Sequence, residues 1–101
     1  MARYVLKIYR DADGKTPFVG WLKSLKDKVA RYTIKARLNR IRLGNMGDCE
    51  PIGEGVYEFR IHYGPGYRVY FGRERRNIVL LLCGGEKKTQ KRDIQRAKAY
   101  W

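Results

Sequence analysis

The segment 56–84 reads VYEFRIHYGPGYRVYFGRERRNIVLLLCG, and it predicts a β-hairpin followed by a third, apolar strand. Apolar and polar residues alternate on both arms, and residues two apart in a strand share a face. One face is predicted to carry Tyr57, Phe59, Ile61, Tyr63, Tyr67, Val69 and Phe71. The other face carries Glu58, Arg60, His62, Arg68 and Tyr70. The first face is therefore predicted to be core, and the second a patch of proton-transfer and anion-binding groups.

The turn of this hairpin is predicted at Gly64-Pro65-Gly66. Glycine reaches positive φ without strain, and proline restricts φ to values that suit a tight reversal. A three-residue loop there would set Tyr63 opposite Tyr67 and His62 opposite Arg68. This register leaves every side chain on its expected face, and such matching specifies strand register.

The remaining elements follow from local patterns. Residues 4–9 are rich in β-formers and predict a first strand, and Thr16-Pro17 predicts the start of a helix that runs to about Lys26. A second helix is predicted from Asp27 to a stop at Gly44. Its core side would be Ala30, Ile34, Leu38 and Ile41. A loop is predicted over 45–55, before the hairpin. After the hairpin, a central strand covered on both faces is predicted over 78–83. The chain is then predicted to leave the sheet at 84–88 and to form a last helix capped by Thr89.

The chain of 101 residues is expected to form one domain, residues 1–101. It has 23 Lys and Arg against 10 Asp and Glu, a net charge of +13, which predicts an acidic partner such as nucleic acid, an anionic membrane surface or an acidic protein. No apolar run is long enough for a membrane span, and the first residues do not resemble a signal peptide, so we expect a cytoplasmic protein with no membrane partner. Cys49 and Cys83 are expected to be reduced thiols, and with one histidine they predict neither a metal site nor a cofactor.

Two longer segments carry a family resemblance, GNMGDCEPIGEGVYEFRIHYGPGYRVYF and LLLCGGEKKTQKRDIQRAKAYW. With the order of predicted elements, they resemble the RelE/ParE superfamily of toxins, and within it the HigB-like addiction-module killer proteins. The resemblance covers nearly the whole chain. It implies an α+β fold with a twisted, mainly antiparallel sheet of about four strands, two N-terminal helices packed on one side and a short C-terminal helix.

The same resemblance implies a function. Such proteins are toxins of type II toxin–antitoxin modules, and the RelE-like and HigB-like members are ribosome-dependent endonucleases that cut mRNA in the A site. The implied partners are the ribosome, mRNA and a cognate antitoxin, a helix-turn-helix DNA-binding protein encoded in the same operon. Two alternatives stay open, a ParE-like gyrase inhibitor on the same fold and an RNA-binding module without catalysis.

The implied cleavage needs no metal, because the 2′-OH of the RNA attacks the adjacent phosphate. The reaction requires a base, cations for the phosphorane oxygens and an acid for the leaving 5′ oxygen. The resemblance assigns Arg60, Arg68 and Lys87 to the phosphate. His62 or Glu58 is the candidate base, although Glu58 stands where a lysine is common in RelE.

Further cations are candidates for contacts with RNA and the ribosome: Lys28, Arg31, Lys35, Arg42, Arg73, Arg75, Arg76, Lys88, Lys91 and Arg92. The alternative for the helical ones is a solvated helix face whose C-terminal cations complement the helix dipole. The terminal aromatics Tyr100 and Trp101 have two interpretations, stacking on RNA or docking on the core.

Overall fold

The computed structural model describes residues 3–101, which form a mixed α/β fold with one five-stranded sheet and three α-helices. In chain order the elements are β1 (Val5–Ile8), α1 (Pro17–Ser24), α2 (Lys28–Arg42), β2 (Cys49–Gly53), β3 (Val56–Ile61), β4 (Tyr67–Arg75), β5 (Ile78–Glu86) and α3 (Gln90–Tyr100). A single 3₁₀ turn, Lys87–Thr89, joins β5 to α3. The strand order is β1-β5-β4-β3-β2, with β1 parallel to β5 and every other pair antiparallel. Within residues 3–101, no helix has the length and apolar character needed to cross a membrane.

The expected sheet of about four strands is corrected to five, because β2 lies inside the segment predicted as a loop. That segment contains Pro51 and several glycines, which normally indicate a turn. Here the proline lies in an edge strand, one side of which has no neighbouring strand. Proline lacks an N–H, but on that open side no hydrogen bond to another strand is lost. The register between β2 and β3 shifts between Pro51 and Gly53.

The hairpin of β3 and β4 has a different register from the predicted one. Ile61 pairs with Tyr67 and Arg60 pairs with Arg68, so five residues, 62–66, form the loop. The backbone N–H of Gly66 donates to the carbonyl oxygen of Tyr63 at 3.0 Å and closes this wider turn. The predicted strand register is therefore shifted by two residues from the observed one. Because side chains alternate between faces, a shift by an even number leaves each side chain on its predicted face. The true register brings two arginines directly opposite each other.

The larger core lies between the sheet and helices α1 and α2. Asp27 caps α2 by accepting from the N–H groups of Val29 and Ala30 at 2.9 and 3.2 Å. Each predicted core residue of α2 is buried against the sheet, namely Ala30, Ile34, Leu38 and Ile41. Helix α1 ends at Ser24, two residues earlier than predicted, and the Thr16 side chain makes no capping hydrogen bond. The predictions for α2 are confirmed.

The second face of the sheet is covered by α3. A smaller core forms there from Val56, Tyr70, Leu82, Cys83 and Ala97. Strand β5 is therefore covered on both faces, as its apolar run predicts. The C-terminal aromatics dock on this core, since Tyr100 stacks on Tyr9 at 5.0 Å and the Trp101 ring lies 2.3 Å from where a Cβ on Gly72 would be. The face predicted as an open polar patch is thus partly buried.

Candidate active site

Glu58 and Arg68 form a buried ion pair beneath the N-terminus of α3. Glu58 is 2% exposed, and its Oε1 accepts from Nη1 of Arg68 at 2.8 Å. Gln90, the first residue of α3, donates from Nε2 to both carboxylate oxygens, at 3.2 and 3.1 Å. Both oxygens of Glu58 are therefore occupied, which fits a residue that orients Arg68 better than one that accepts a proton from substrate.

Two glycines lie near the end of β5: Gly84 makes room for Trp21 of α1, and Gly85 lets the start of α3 approach the strand closely. Sequence patterns placed them outside the sheet, but β5 continues to Glu86. Asp93 is buried over Gly85, where a Cβ would lie 1.9 Å from its Oδ2. The Thr89 hydroxyl donates to Asp93 at 2.5 Å and makes no capping bond to a helix N–H. This close approach sets Gln90 within reach of Glu58.

Arg60 lies next to Arg68 on the same face of the sheet. Its Nη2 donates to Asp48 Oδ1 and to Glu50 Oε1, each at 2.9 Å. The pKa of Asp48 is lowered to about 2, mainly by the hydrogen bond from Arg60 and next by the hydrogen bond from His62. The two carboxylates belong to β2 and to the residue before it, a segment predicted as a loop, so their pairing with Arg60 was not predicted.

His62 stands at the mouth of the hairpin loop. Its side chain is 76% exposed, and its Nε2 lies 2.7 Å from Asp48 Oδ2. A carboxylate on one ring nitrogen orients the imidazole and leaves the other nitrogen free for proton transfer. Asp48 therefore supports both His62 and Arg60. The sequence patterns did not identify Asp48 as part of the site. One signal was present: acidic residues are few in this chain, and Asp48, Glu50 and Glu54 lie close together just before the hairpin.

Lys87 is exposed and reaches the same end of the sheet from the other side of the hairpin. Its backbone N–H donates to the carbonyl oxygen of Gly66 at 2.8 Å, which fixes the 3₁₀ turn against the loop. Within residues 3–101 the Lys87 side chain makes no ion pair. The structure therefore brings all five predicted catalytic residues to one end of the sheet.

Donor groups remain available in this cluster. Nη1 of Arg60 and Nη2 of Arg68 make no hydrogen bond in the described part of the chain, and neither is buried. By contrast, the Oη of Tyr70 is buried without a partner in residues 3–101. Burial is the main cause that raises the pKa of Tyr70, with Glu58 adding to it, so this phenol is not a proton source for substrate. The two free guanidinium nitrogens can meet anionic oxygens.

The cluster is close to electrically neutral. Three cations, Arg60, Arg68 and Lys87, face three carboxylates, Asp48, Glu50 and Glu58. Among the described residues, no group of three or more His, Cys, Asp or Glu side chains is placed to hold a metal ion. The attraction for a polyanion must therefore come mainly from cations around the cluster.

Comparison with known families identifies the chain's relatives. A family model described as "Phage derived protein Gp49-like (DUF891)" matches residues 20–100, which is more than half of the chain. The chain belongs to the Gp49-like family. A relative from Haemophilus influenzae, described as "Uncharacterized protein", is 46% identical over 81 residues, covering 80% of this chain and 82% of that protein. The Gp49-like family is known broadly in a toxin–antitoxin context.

This match corrects the family assignment made from sequence. The resemblance to the HigB-like branch of the RelE/ParE superfamily was wrong, because Gp49-like is a distinct family. The segments that suggested it, around the hairpin and the Gly-Gly-Glu-Lys-Lys stretch, are features of this Gp49-like chain. A strand, two helices, a meander and a C-terminal helix form an order that is not diagnostic of one family.

The ten candidate RNA- and ribosome-binding cations of this Gp49-like chain lie in three separate places. Lys28, Arg31, Lys35 and Arg42 are on α2, and the Arg31 guanidinium donates to the carbonyl oxygen of Leu25. Arg73, Arg75 and Arg76 lie at the far end of β4, where Arg73 packs 5.2 Å from the Tyr4 ring centroid. Lys88, Lys91 and Arg92 line a groove of about 390 Å³ at the start of α3. Of the three groups, this last one lies directly beside Lys87.

Proposed function

We propose that this protein is the toxin of a toxin–antitoxin module and that it inhibits translation by cutting mRNA on the ribosome. Two facts support the proposal, the toxin–antitoxin context of the Gp49-like family and the geometry of one end of the sheet. The single observation that carries it is the pair of facing arginines, Arg60 and Arg68, beside a histidine oriented by Asp48. Positioned cations next to an oriented imidazole suit phosphodiester cleavage.

The proposed reaction uses the 2′-OH of the RNA as nucleophile. His62 takes the 2′-OH proton on Nδ1 while Asp48 holds Nε2, and the 2′ oxygen forms a bond to phosphorus. The bond from phosphorus to the 5′ oxygen breaks, and that oxygen leaves as a hydroxyl after taking a proton from water. The hydroxide formed from the water takes the proton that His62 holds, which restores the neutral imidazole. The products are a 2′,3′-cyclic phosphate and a 5′-OH end. Arg68 and Lys87 stabilise the charge on the phosphorane oxygens.

The surrounding cations would bring the substrate to the cluster. Lys88, Lys91 and Arg92 lie beside Lys87 and can follow the RNA backbone, whose binding is driven by phosphate neutralisation. The net charge of +13 also favours an acidic antitoxin, since complementary charge speeds encounter. We propose a helix-turn-helix protein from the same operon as that partner.

The decisive experiment uses purified translating ribosomes and two messages. One message carries natural ribose, and the other carries 2′-O-methyl at the nucleotide 5′ of the mapped cut. We expect cutting of the first and none of the second, because the methyl group removes the attacking hydroxyl. Continued cutting of the modified message would overturn the chemistry and indicate activated water. DNA breaks without RNA cuts would indicate a gyrase poison, and binding without cutting would indicate a passive module.

Two exposed residues give the cleanest variants. His62→Ala should lower the cleavage rate by about 10²–10⁴-fold, as expected for loss of a general base. Lys87→Ala should lower it by about 10²–10³-fold. Lys15→Ala is the matched control, because Lys15 is an exposed lysine in the loop before α1. Arg68→Ala is less informative, since it leaves buried Glu58 without its cation.

A further inference from the structure

Helix α2 carries a second, mainly apolar stripe on the side that faces away from the sheet. It consists of Val29, Tyr32 and Ala36, the polar residue Asn39, and Leu43, which directly follows the helix. Their spacing alternates between three and four residues, which is the a/d pattern of a coiled coil. Val29, Tyr32 and Leu43 are 54%, 74% and 51% exposed, although large apolar side chains on a helix normally turn to the core. We call this set the outer seam.

Cations border the outer seam. In the same heptad pattern, Lys28, Lys35 and Arg42 occupy the three g positions, and Arg40 occupies an e position. The sequence of α2 has no acidic residue, and within residues 3–101 none of these four cations forms an ion pair. A groove of about 520 Å³ runs along one side of the seam. It is lined by Tyr32, Lys35, Ala36, Leu38, Asn39 and Arg42.

We propose that the outer seam docks an acidic amphipathic helix of a protein partner, about two heptads long. Apolar a/d residues of that helix would pack on Val29, Tyr32 and Leu43, and Glu or Asp at its e/g positions would pair with Lys28 and Lys35. At about 1.5 Å per residue, α2 offers roughly 22 Å of contact. The proposal goes beyond RNA cleavage, because it concerns a protein partner bound along α2. The seam adjoins the catalytic cluster at a groove of about 300 Å³, which Tyr32 and Ala36 line together with Arg60 and His62.

Charge and apolar surface together select this occupant. A second copy of the chain would set Lys28 and Lys35 against like charges, which coiled coils use to reject a partner. RNA would pair with the cations and stack a base on Tyr32, but neither contact uses the exposed aliphatic side chains of Val29 and Leu43. A partner that is both acidic and apolar satisfies both features of the surface.

The first test titrates the ¹⁵N-labelled full chain with a synthetic peptide of three heptads, Leu at a and d and Glu at e and g. The control peptide has the same composition in scrambled order. We expect the heptad peptide to bind at least about tenfold more tightly, with NMR shift changes centred on Val29, Tyr32 and Ala36. Equal binding of the scrambled peptide would show attraction by charge alone and would overturn the proposal.

The second test exchanges charges. The triple variant Lys28→Glu/Lys35→Glu/Arg42→Glu should lose the acidic peptide and gain a matching peptide with Lys at e and g. The control variant Lys15→Glu/Arg75→Glu/Lys91→Glu changes net charge equally at exposed positions outside α2 and should keep the acidic peptide. Loss of binding in both variants would overturn the proposal.

Tyr32→Ala separates the protein partner from RNA. It should weaken the heptad peptide about tenfold, as for a central aromatic contact, and leave the affinity for a single-stranded RNA within twofold. Circular dichroism should confirm that each variant is folded. If Tyr32→Ala weakens RNA as much as the peptide, the surface is a nucleic-acid interface and the assignment of a helical partner is wrong.

Discussion

Removal of Glu58 should destabilise the protein strongly. In Glu58→Ala the Arg68 side chain, only 11% exposed, loses the carboxylate that it contacts at 2.8 Å. The amide of Gln90 also loses its acceptor. Removing one partner of a buried ion pair lowers the free energy of unfolding by about 3–5 kcal/mol, because the remaining charge stays buried without compensation.

That loss is large for a chain of this size. Domains have total stabilities of about 5–15 kcal/mol, and each kcal/mol shifts the Tm of a domain this size by about 4–8 °C. Glu58→Ala should therefore lower the Tm by at least about 12 °C. Urea unfolding followed by circular dichroism measures the free energy directly. The matched control is Glu74→Ala, which removes an exposed pair with Lys7 at 3.7 Å and should cost at most about 1 kcal/mol.

A double variant tests the reason for the loss. Glu58→Leu/Arg68→Met replaces both charges with apolar groups of similar size and should restore most of the stability, since buried pairs contribute little over well-packed apolar side chains. The reasoning is refuted if Glu58→Ala costs less than about 1 kcal/mol, or if the double variant is no more stable than the single one.

Three further perturbations test the packing and the electrostatics. Gly85→Ala should lower the free energy of unfolding, measured in urea, by roughly 1–3 kcal/mol, since the new Cβ would lie 1.9 Å from a buried carboxylate oxygen of α3. The control Gly20→Ala, at an open helical position, should raise that free energy by roughly 0.5–1 kcal/mol. Asp27→Ala should lower the Tm and speed amide exchange in the first turn of α2, because it removes the cap; unchanged exchange there would contradict the capping role. Asp48, with a pKa of about 2 against an ordinary 3.8, contributes stability that is full above pH 3.8 and is lost as pH falls towards 2. An NMR titration of its carboxyl carbon in Arg60→Ala should show that pKa rising, and no rise would contradict the pairing.

Local sequence patterns predicted much of this fold. The α2 core positions, the Asp27 cap and the alternating faces of the hairpin are confirmed, because they depend on periods of 3.6 and 2 residues that are written in neighbouring positions. The strand β2 and the hairpin register were missed. A strand containing Pro51 forms only where an edge is available, and the turn length depends on pairings that glycine content does not specify.

The amino-acid sequence alone determined the two-faced hairpin, the basic charge and the list of candidate catalytic residues. Tertiary structure decided what those residues contact. Glu58 is buried because α3 folds back over its face, and Asp48 reaches both Arg60 and His62 because β2 pairs with β3. Such contacts join residues 10 to 32 positions apart, and the free energy that selects them comes from burying both faces of the sheet at once.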